Sequence, residues 1–152
     1  MMKQSQEEKY FLNLAGEFAV CAELFKRNVH ANITYGNHKA TDIIVIDNNK
    51  RVLTIEVKTS MSNRFVTGFF QKFPEEKTKH PDFWVFVHIN KDTLKSDFYV
   101  LTHFELAKIQ MQKNNMSEWT KVIGVDNVDI QNLTEYQDNW ESVLPNVLKT
   151  SY

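Results

Sequence analysis

The stretch Leu53 to Lys58 places an acid and a base within an apolar run, and these are residue types that hydrolytic chemistry uses. Side chains alternate across a strand, so Thr54, Glu56 and Lys58 share one face. Charged side chains on a mostly apolar strand are costly unless they are paired or bind a metal. The pattern Glu-x-Lys occurs three times in the chain, and this is the copy inside an apolar strand. The pair therefore predicts a catalytic site, with a simple same-face ion pair as the alternative.

Asp42 supplies the second carboxylate of the predicted site. It opens the preceding β-prone run, and the turn residues Asn48 and Asn49 join that run to the next one as a hairpin. Counting outward from the turn, Asp42 faces roughly Thr54 to Lys58 on the partner strand. Two adjacent carboxylates repel each other, and a divalent cation relieves the repulsion. Oxygen ligands with several waters suit Mg²⁺, which promotes phosphodiester hydrolysis. Alternatively, Asp42 only caps the turn that opens its strand.

In this order the residues resemble the PD-(D/E)xK nuclease superfamily, whose metal site lies on such a hairpin after a first helix. The match is Thr41-Asp42 followed by Glu56-Val57-Lys58. The resemblance implies that Asp42, Glu56 and the carbonyl of Val57 are metal ligands. It also implies that Lys58 is the catalytic lysine. Thr41 stands where the proline in the name of the superfamily would be.

Two further parts of the chain resemble features of these nucleases. Archaeal Holliday junction resolvases and several restriction-like endonucleases carry a glutamate on the first helix, and Glu17 in the sequence GEFAV resembles it. Glu17 would then be a catalytic residue, as an outer or second-metal ligand; otherwise it is a solvated helix residue. Gln71 and Lys72 are the candidates for a downstream glutamine or lysine. The resemblance covers Gly16 to about Leu101.

The resemblance implies a Mg²⁺-dependent nuclease, with Mn²⁺ as a substitute, that hydrolyses phosphodiester bonds as an endodeoxyribonuclease. Its partner would be nucleic acid, with DNA expected before RNA, and pairing as a homodimer stays open. The alternative is a noncatalytic nucleic-acid- or protein-binding module that keeps the nuclease fold. The net charge of −1 favours this alternative, because it gives no global basic field. One irregular segment concentrates positive charge, at Arg64, Lys72, Lys77, Lys79 and His80. It would either contact a nucleic-acid backbone or be a solvated surface loop.

The elements that must position these residues follow from the hydrophobic pattern. Apolar steps of three and four predict an amphipathic helix from Gln4 to Arg27, whose buried stripe is formed by Phe11, Leu14, Phe18, Cys21 and Phe25. β-Prone runs predict five strands, at Ala31–Tyr35, Asp42–Asp47, Arg51–Thr59, Phe83–Ile89 and Asp97–Leu101. The run from Ile43 to Ile46 is apolar without alternation, which predicts a strand covered on both faces.

The rest of the chain predicts helices around this sheet. Met61 to Pro81 is predicted to be irregular or partly helical. Thr102 and Glu105 form a capping-box pattern, which predicts a helix that runs to about Lys113. A short strand is predicted at Trp119 to Val125, and a last helix from Leu133 to Val143 or Leu144, ended by Pro145. The predicted fold class is α/β, with a mixed central β-sheet flanked by helices. The resemblance adds a restriction endonuclease-like core of order αβββαβ.

Length and composition predict a single domain over residues 1–152. Hydrophobic residues at 42% and charged residues at 24% are typical of a folded globular protein. The polar N-terminus lacks a signal-peptide core and no run approaches a membrane span, so the expected location is cytoplasmic with no membrane partner. Cys21 alone makes no intrachain disulfide, and the five histidines show no paired zinc spacing. The sequence contains no glycine-rich phosphate loop and no G-x-S-x-G elbow.

Overall fold

The computed structural model describes residues 3–35, 41–75, 77–118 and 125–143 of the chain. The helices and strands are, in chain order, α1 (Gln6–Lys26), β1 (Ala31–Ile33), β2 (Ile43–Ile46), β3 (Val52–Ser60), β4 (Arg64–Val66), α2 (Phe69–Lys72), β5 (Phe83–Ile89), β6 (Ser96–Thr102), α3 (His103–Lys113), β7 (Asn127–Asp129), α4 (Ile130–Leu133), a 3₁₀ turn (Thr134–Tyr136) and α5 (Trp140–Val143). Within these residues, no helix combines the length and the apolar character that crossing a membrane requires.

Within the described ranges, five strands form one mixed sheet in the order β1-β2-β3-β5-β6. β2 runs antiparallel to both β1 and β3, β3 runs parallel to β5, and β5 runs antiparallel to β6. β4 and β7 pair separately as a two-stranded antiparallel sheet. The predicted α/β fold, a mixed central sheet flanked by helices, is confirmed.

The sheet separates two hydrophobic clusters of different composition. On one face, α1 packs on an aliphatic cluster that includes Ile43, Val45, Ile55, Val57, Val85 and Val87. On the other face, α2, α3 and the small sheet cover an aromatic cluster that includes Phe65, Phe69, Phe73, Trp84, Phe86 and Tyr99. β5 contributes to both clusters because its alternate side chains point to opposite faces. It is therefore covered on both sides.

α1 covers the sheet as predicted, but through a different stripe of residues. Its start is a capping box, in which Ser5 and Glu8 bind each other's backbone N–H groups. Its buried residues are Gly16, Glu17, Val20, Cys21 and Leu24. Phe11, Phe18 and Phe25, which were predicted to be buried, are 60%, 53% and 53% exposed. That prediction was wrong because α1 carries two apolar stripes on opposite sides, and both have helical spacing.

β2 also differs from its prediction. Ile43 and Val45 are buried beneath α1, whereas Ile46 is 52% exposed. An uninterrupted apolar run therefore did not indicate two covered faces here. The turn after β2 is organised by the carboxylate of Asp47, which accepts hydrogen bonds from the N–H groups of Asn49 and Arg51. This turn holds β2 and β3 in the register that sets the site described below.

The segment between β3 and β5 holds more regular structure than predicted. It contains α2, which fits the expectation of a partly helical segment, and also the strand β4, which was missed. β4 has only three residues and pairs with β7, which lies far away in the sequence. A strand this short has no periodicity to detect, so only its distant partner makes it recognisable.

The elements after β6 were predicted in part. The capping box of Thr102 and Glu105 is confirmed, and α3 ends at Lys113 as expected. The short strand predicted at Trp119 to Val125 lies mostly outside the described residues, and Val125 itself belongs to no strand.

The prediction of a single last helix was wrong. α4 ends at Leu133, Gln137 bridges to Tyr99 of β6, and Asp138 has a φ of 51°, so the short helix α5 begins separately at Trp140. The predicted end at Leu144 and Pro145 lies outside the described residues.

Candidate active site

The charged face of β3 lies opposite the face that α1 covers. Ile55 and Val57 belong to the aliphatic cluster, so Glu56 and Lys58 point towards the aromatic side of the sheet. In the parallel register, Glu56 stands beside Trp84 and Lys58 beside Phe86. The Lys58 ammonium lies 5.9 Å from the centre of the Trp84 ring. The Lys58 ammonium therefore lies within cation–π distance of one aromatic ring.

Glu56 is a buried carboxylate that contacts two ammonium groups. Its Oε1 lies 3.1 Å from Nζ of Lys58 and 2.8 Å from Nζ of Lys72, and the residue is only 8% exposed. Burial tends to raise the pKa of Glu56, but the charge of Lys58 and the hydrogen bond from Lys72 lower it, and the net shift is downward. Glu56 is therefore ionised at neutral pH.

Lys72 reaches Glu56 from the short helix α2. Phe69 and Phe70 are buried in the aromatic cluster and anchor this helix beside β3. Gly68 precedes it in the left-handed region, with a φ of 67°. The Lys72 side chain is half exposed, whereas that of Lys58 is largely buried. The sequence offered Lys72 as one candidate for a downstream lysine, but no spacing pattern indicated that it would contact Glu56.

Asp42 lies where the β2–β3 ladder ends. Ile43 pairs with Ile55, so Asp42 stands opposite Glu56, which agrees with the predicted register. The Asp42 carboxylate is buried and its Oδ2 accepts a hydrogen bond of 2.8 Å from the N–H of Val57. Because the N–H and C=O of a strand residue point to the same side, the carbonyl of Val57 lies on this edge too. Asp42, Glu56 and Val57 are thus neighbours at one point of the sheet.

Glu17 approaches from the other side of the sheet. It is a buried residue on the inner face of α1. Gly16 allows the close approach, because a Cβ at that position would overlap Oγ1 of Thr59 on β3. Burial raises the pKa of Cys21 to about 11, and the nearby charge of Glu17 adds to that effect. The alternative of a solvated Glu17 is therefore wrong, and its carboxylate lies beneath the sheet near the end of β3.

The donor atoms at this point suit a hard divalent cation. Among the described residues, no group of three or more His, Cys, Asp or Glu side chains is placed to hold a metal ion. Glu17, Asp42 and Glu56 therefore do not form a ready cluster of three carboxylates. Mg²⁺, however, is commonly bound through one or two carboxylates and keeps several of its waters. Asp42 and Glu56, with the carbonyl of Val57, fit that donor set.

A cleft of about 330 Å³ opens beside Lys58 at the end of β3. Cationic side chains from three different elements line it, namely Lys9, Lys58 and Arg64, and its lining includes no acidic side chain from the described part of the chain. Arg64 is held by Asp129, whose Oδ1 lies 2.8 Å from its Nε. Lys77 and Lys79 are exposed. The basic residues predicted to act as one segment are thus distributed, and the local positive charge next to Lys58 comes partly from α1.

A buried histidine completes the aromatic side of the sheet. Nδ1 of His103 accepts a hydrogen bond of 3.1 Å from the indole of Trp84, and the ring stacks on His80 at 3.9 Å between centroids. Burial lowers the pKa of His103 to about 3, and the neighbouring His80 contributes to the shift. His103 is therefore neutral at neutral pH, and its proton lies on Nε2. This cluster, which the sequence did not predict, fixes the ring that flanks Lys58.

Comparison with known proteins shows that the fold of this chain is similar to a solved structure. No family model matches the chain, and no curated protein matches it. Among solved structures, the fold is similar to that of a bacterial homing endonuclease, I-Ssp6803I, with a TM-score of 0.58 over 95% of this chain and 95% of that chain. The sequence identity is 11%, so the likeness concerns the fold alone. The chain therefore shares its architecture with a known endonuclease.

Proposed function

We propose that this chain is a Mg²⁺-dependent nuclease of the PD-(D/E)xK type, acting as an endodeoxyribonuclease. The observation that carries the proposal is the arrangement at the end of the β2–β3 ladder. Asp42 stands opposite the buried Glu56, Lys58 lies on the face of Glu56, and the backbone of Val57 binds Asp42. The likeness in fold to a homing endonuclease supports the same activity.

The residues at the candidate site would have different roles in phosphodiester hydrolysis. Asp42, Glu56 and the carbonyl of Val57 would hold Mg²⁺, which supplies polarisation of a phosphate oxygen and activation of a water when bound. The carboxylate of Glu56 lies 3.1 Å from the ammonium of Lys58, and the Trp84 ring lies 5.9 Å from the same ammonium. Lys58 can then donate a hydrogen bond to the attacking water or to the phosphate and stabilise the charge that develops there. The half-exposed Lys72 supplies a second positive charge at the same place.

The cleft beside Lys58 supports the proposal that the substrate is a polyanion. Phosphate contacts account for half or more of the hydrogen bonds between proteins and DNA, and lysine and arginine provide many of them. Lys9 and Arg64 line the cleft with Lys58, so a strand lying there would meet positive charge next to the candidate site. This local positive charge supports nucleic-acid binding although the net charge of the chain is −1.

A noncatalytic binding module is the second candidate function, and one observation favours it. Both ammonium groups contact the same oxygen of Glu56, so the carboxylate is already neutralised without a metal. In that case the charged face of β3 would be a structural ion-pair network that keeps the fold. DNA or protein would then bind without turnover.

The first test is nicking of supercoiled plasmid by the wild type, Lys58→Ala and Lys91→Ala, each with Mg²⁺, Mn²⁺ or EDTA. Lys91 lies in an exposed turn and is the matched control. We expect metal-dependent nicking that the Lys58 variant loses and the Lys91 variant keeps. Nicking by pure Lys58→Ala at the wild-type rate would refute the role of Lys58.

A thermal-shift titration separates the two candidate functions. A nuclease site should raise the melting temperature when Mg²⁺ or Mn²⁺ is added, and EDTA should reverse the shift, because a ligand that binds the folded state stabilises it. Asp42→Asn should abolish the shift. No effect of metal on the wild type, together with no cleavage of plasmid, branched DNA or RNA, would reject the nuclease and favour the binding module.

A further inference from the structure

α1 carries a second apolar stripe that faces solvent, on the side opposite the sheet. Phe11, Phe18 and Phe25 are seven residues apart and are each more than half exposed. Ala15 and Ala22 lie between them and are exposed too. With 3.6 residues per turn these five positions fall on one narrow strip of the helix. We call them the Phe-Ala stripe, and it alternates large and small side chains along two heptads, from Phe11 to Phe25.

We propose that the Phe-Ala stripe is the surface on which a second copy of this chain binds, through antiparallel pairing of the two α1 helices. In a twofold pair, a register that sets Phe11 against Ala22 of the second copy also sets Ala15 against its Phe18. Every large side chain near the axis then meets a small one, which is the fit that packed helices require. A parallel pair would instead place like against like at each position.

The charges at the two ends of α1 favour the same arrangement. Glu7 lies near the start of the helix, and Lys26 is its last residue. The register that joins Phe11 to Ala22 places Glu7 of one copy beside Lys26 of the other, and the symmetry repeats the pair. In a parallel pair, Glu7 would meet Glu7 and Lys26 would meet Lys26, which is repulsive. Charge and size thus select the same orientation.

An apolar groove of about 540 Å³ lies where the third phenylalanine would go. It runs between the first half of α1 and the turn between β5 and β6, and its lining includes Glu8, Phe11, Ala15, Met61, Ile89 and Leu94. In the proposed register, Phe25 of the second copy falls opposite Glu8, at the mouth of this groove. Phe25, which has no alanine opposite it in this register, would therefore enter the apolar groove.

The area available is close to what a specific interface needs. The exposed parts of Phe11, Phe18 and Phe25, with Tyr10 whose ring contacts Phe11, give roughly 900 Å² in two copies, at about 200 Å² for a whole aromatic side chain. A specific interface buries about 1,000 Å² or more. The alanines and the groove supply the remainder. The stripe faces away from Glu56 and Lys58, so pairing would leave the candidate active sites uncovered.

The oligomeric state tests the proposal. Sedimentation equilibrium is measured for the full chain, for Phe18→Asp and for the control Phe104→Asp, which alters an equally exposed phenylalanine on α3. We expect the wild type and the Phe104 variant to be dimers and the Phe18 variant to be a monomer with an unchanged circular dichroism spectrum. A monomeric wild type, or a dimer that survives Phe18→Asp, would overturn the proposal.

A charge exchange tests the antiparallel orientation separately. Glu7→Lys should weaken the dimer by roughly five- to tenfold, because it replaces two exposed ion pairs by repulsion. Glu7→Lys combined with Lys26→Glu should restore most of the wild-type dimer affinity, since opposite charges again face each other across the pair, while the change at position 26 removes the intrahelical ion pair of Lys26 with Glu23. If the double variant is weaker than the single one, the helices do not pair in this orientation.

Discussion

The two faces of β3 have opposite chemistry, although their residues alternate along one strand. Ile55 and Val57 are buried against α1 among aliphatic side chains. Glu56 and Lys58 are placed against the aromatic cluster and are held by an ion pair, by the Trp84 ring and by Lys72. The aliphatic face needs only a complementary surface. The charged face needs partners that come from another strand and another helix.

This difference separates stability from activity within nine residues of chain. Removing an aliphatic side chain from one face leaves a cavity, which lowers the free energy of unfolding. Removing Lys58 from the other face takes away a group that the proposed reaction uses, while the buried Glu56 keeps Lys72 as its ion-pair partner.

Lys58→Ala should reduce the cleavage rate by roughly 10²–10³-fold, the usual effect of losing one group that stabilises the transition state. The free energy of unfolding, measured by urea denaturation, should change far less than for a change on the aliphatic face. If stability falls as much as activity, then Lys58 is a structural residue and the separation between the faces fails.

Ile55→Ala should destabilise the fold by about 2–5 kcal/mol, because Ile55 is fully buried and the cavity beneath α1 cannot close completely. Val52→Ala is the matched control on the same strand, since Val52 is 58% exposed, and it should change stability by less than about 0.5 kcal/mol. The specific activity of the remaining folded Ile55→Ala protein should stay close to that of the wild type. A direct loss of activity would show that the two faces are coupled.

Acid should destabilise the aromatic side through His103. The folded-state pKa of His103 is lowered to about 3 from 6.5, so the unfolded chain binds a proton more readily. This contribution of His103 to the free energy of unfolding is fully present above pH 6.5 and is lost as the pH falls towards 3, at roughly 1 kcal/mol per pH unit.

The check is urea unfolding at several pH values with His103→Gln, which keeps an acceptor for Trp84 but does not titrate. The free energy of unfolding of this variant should vary less with pH than that of the wild type. The control His30→Gln, at an exposed histidine, should show the same pH dependence as the wild type. Equal slopes for the wild type and His103→Gln would contradict the assignment.

Lys72→Met should have the smallest effect, and in the opposite direction. Lys72 is half exposed and shares Oε1 of Glu56 with Lys58, so it competes with a cation for that carboxylate. Its removal should strengthen Mg²⁺ binding by up to roughly fivefold, the range of an exposed ion pair. Isothermal titration measures this directly. Weaker binding in the variant would mean that Lys72 supports the metal site and does not compete with it.

Local patterns in the sequence predicted the elements that make up the site. The alternation in β3 placed Glu56 and Lys58 on one face, and the turn before it set Asp42 opposite Glu56, because both rules involve neighbours in a hairpin. The Thr102–Glu105 capping box marked the start of α3 for the same reason. Each of these features depends on residues a few positions apart, or joined by one tight turn.

Tertiary structure decided what helical spacing alone could not. Two stripes on α1 have the same period, and only the position of the sheet shows that Val20 and Leu24 are buried while Phe11 and Phe18 face solvent. The contact of Lys72 with Glu56 spans a helix and a strand, and β4 exists only because β7 pairs with it. A periodic pattern states that a face is apolar, but burial depends on which partner lies against that face, and distant parts of the chain determine the partner.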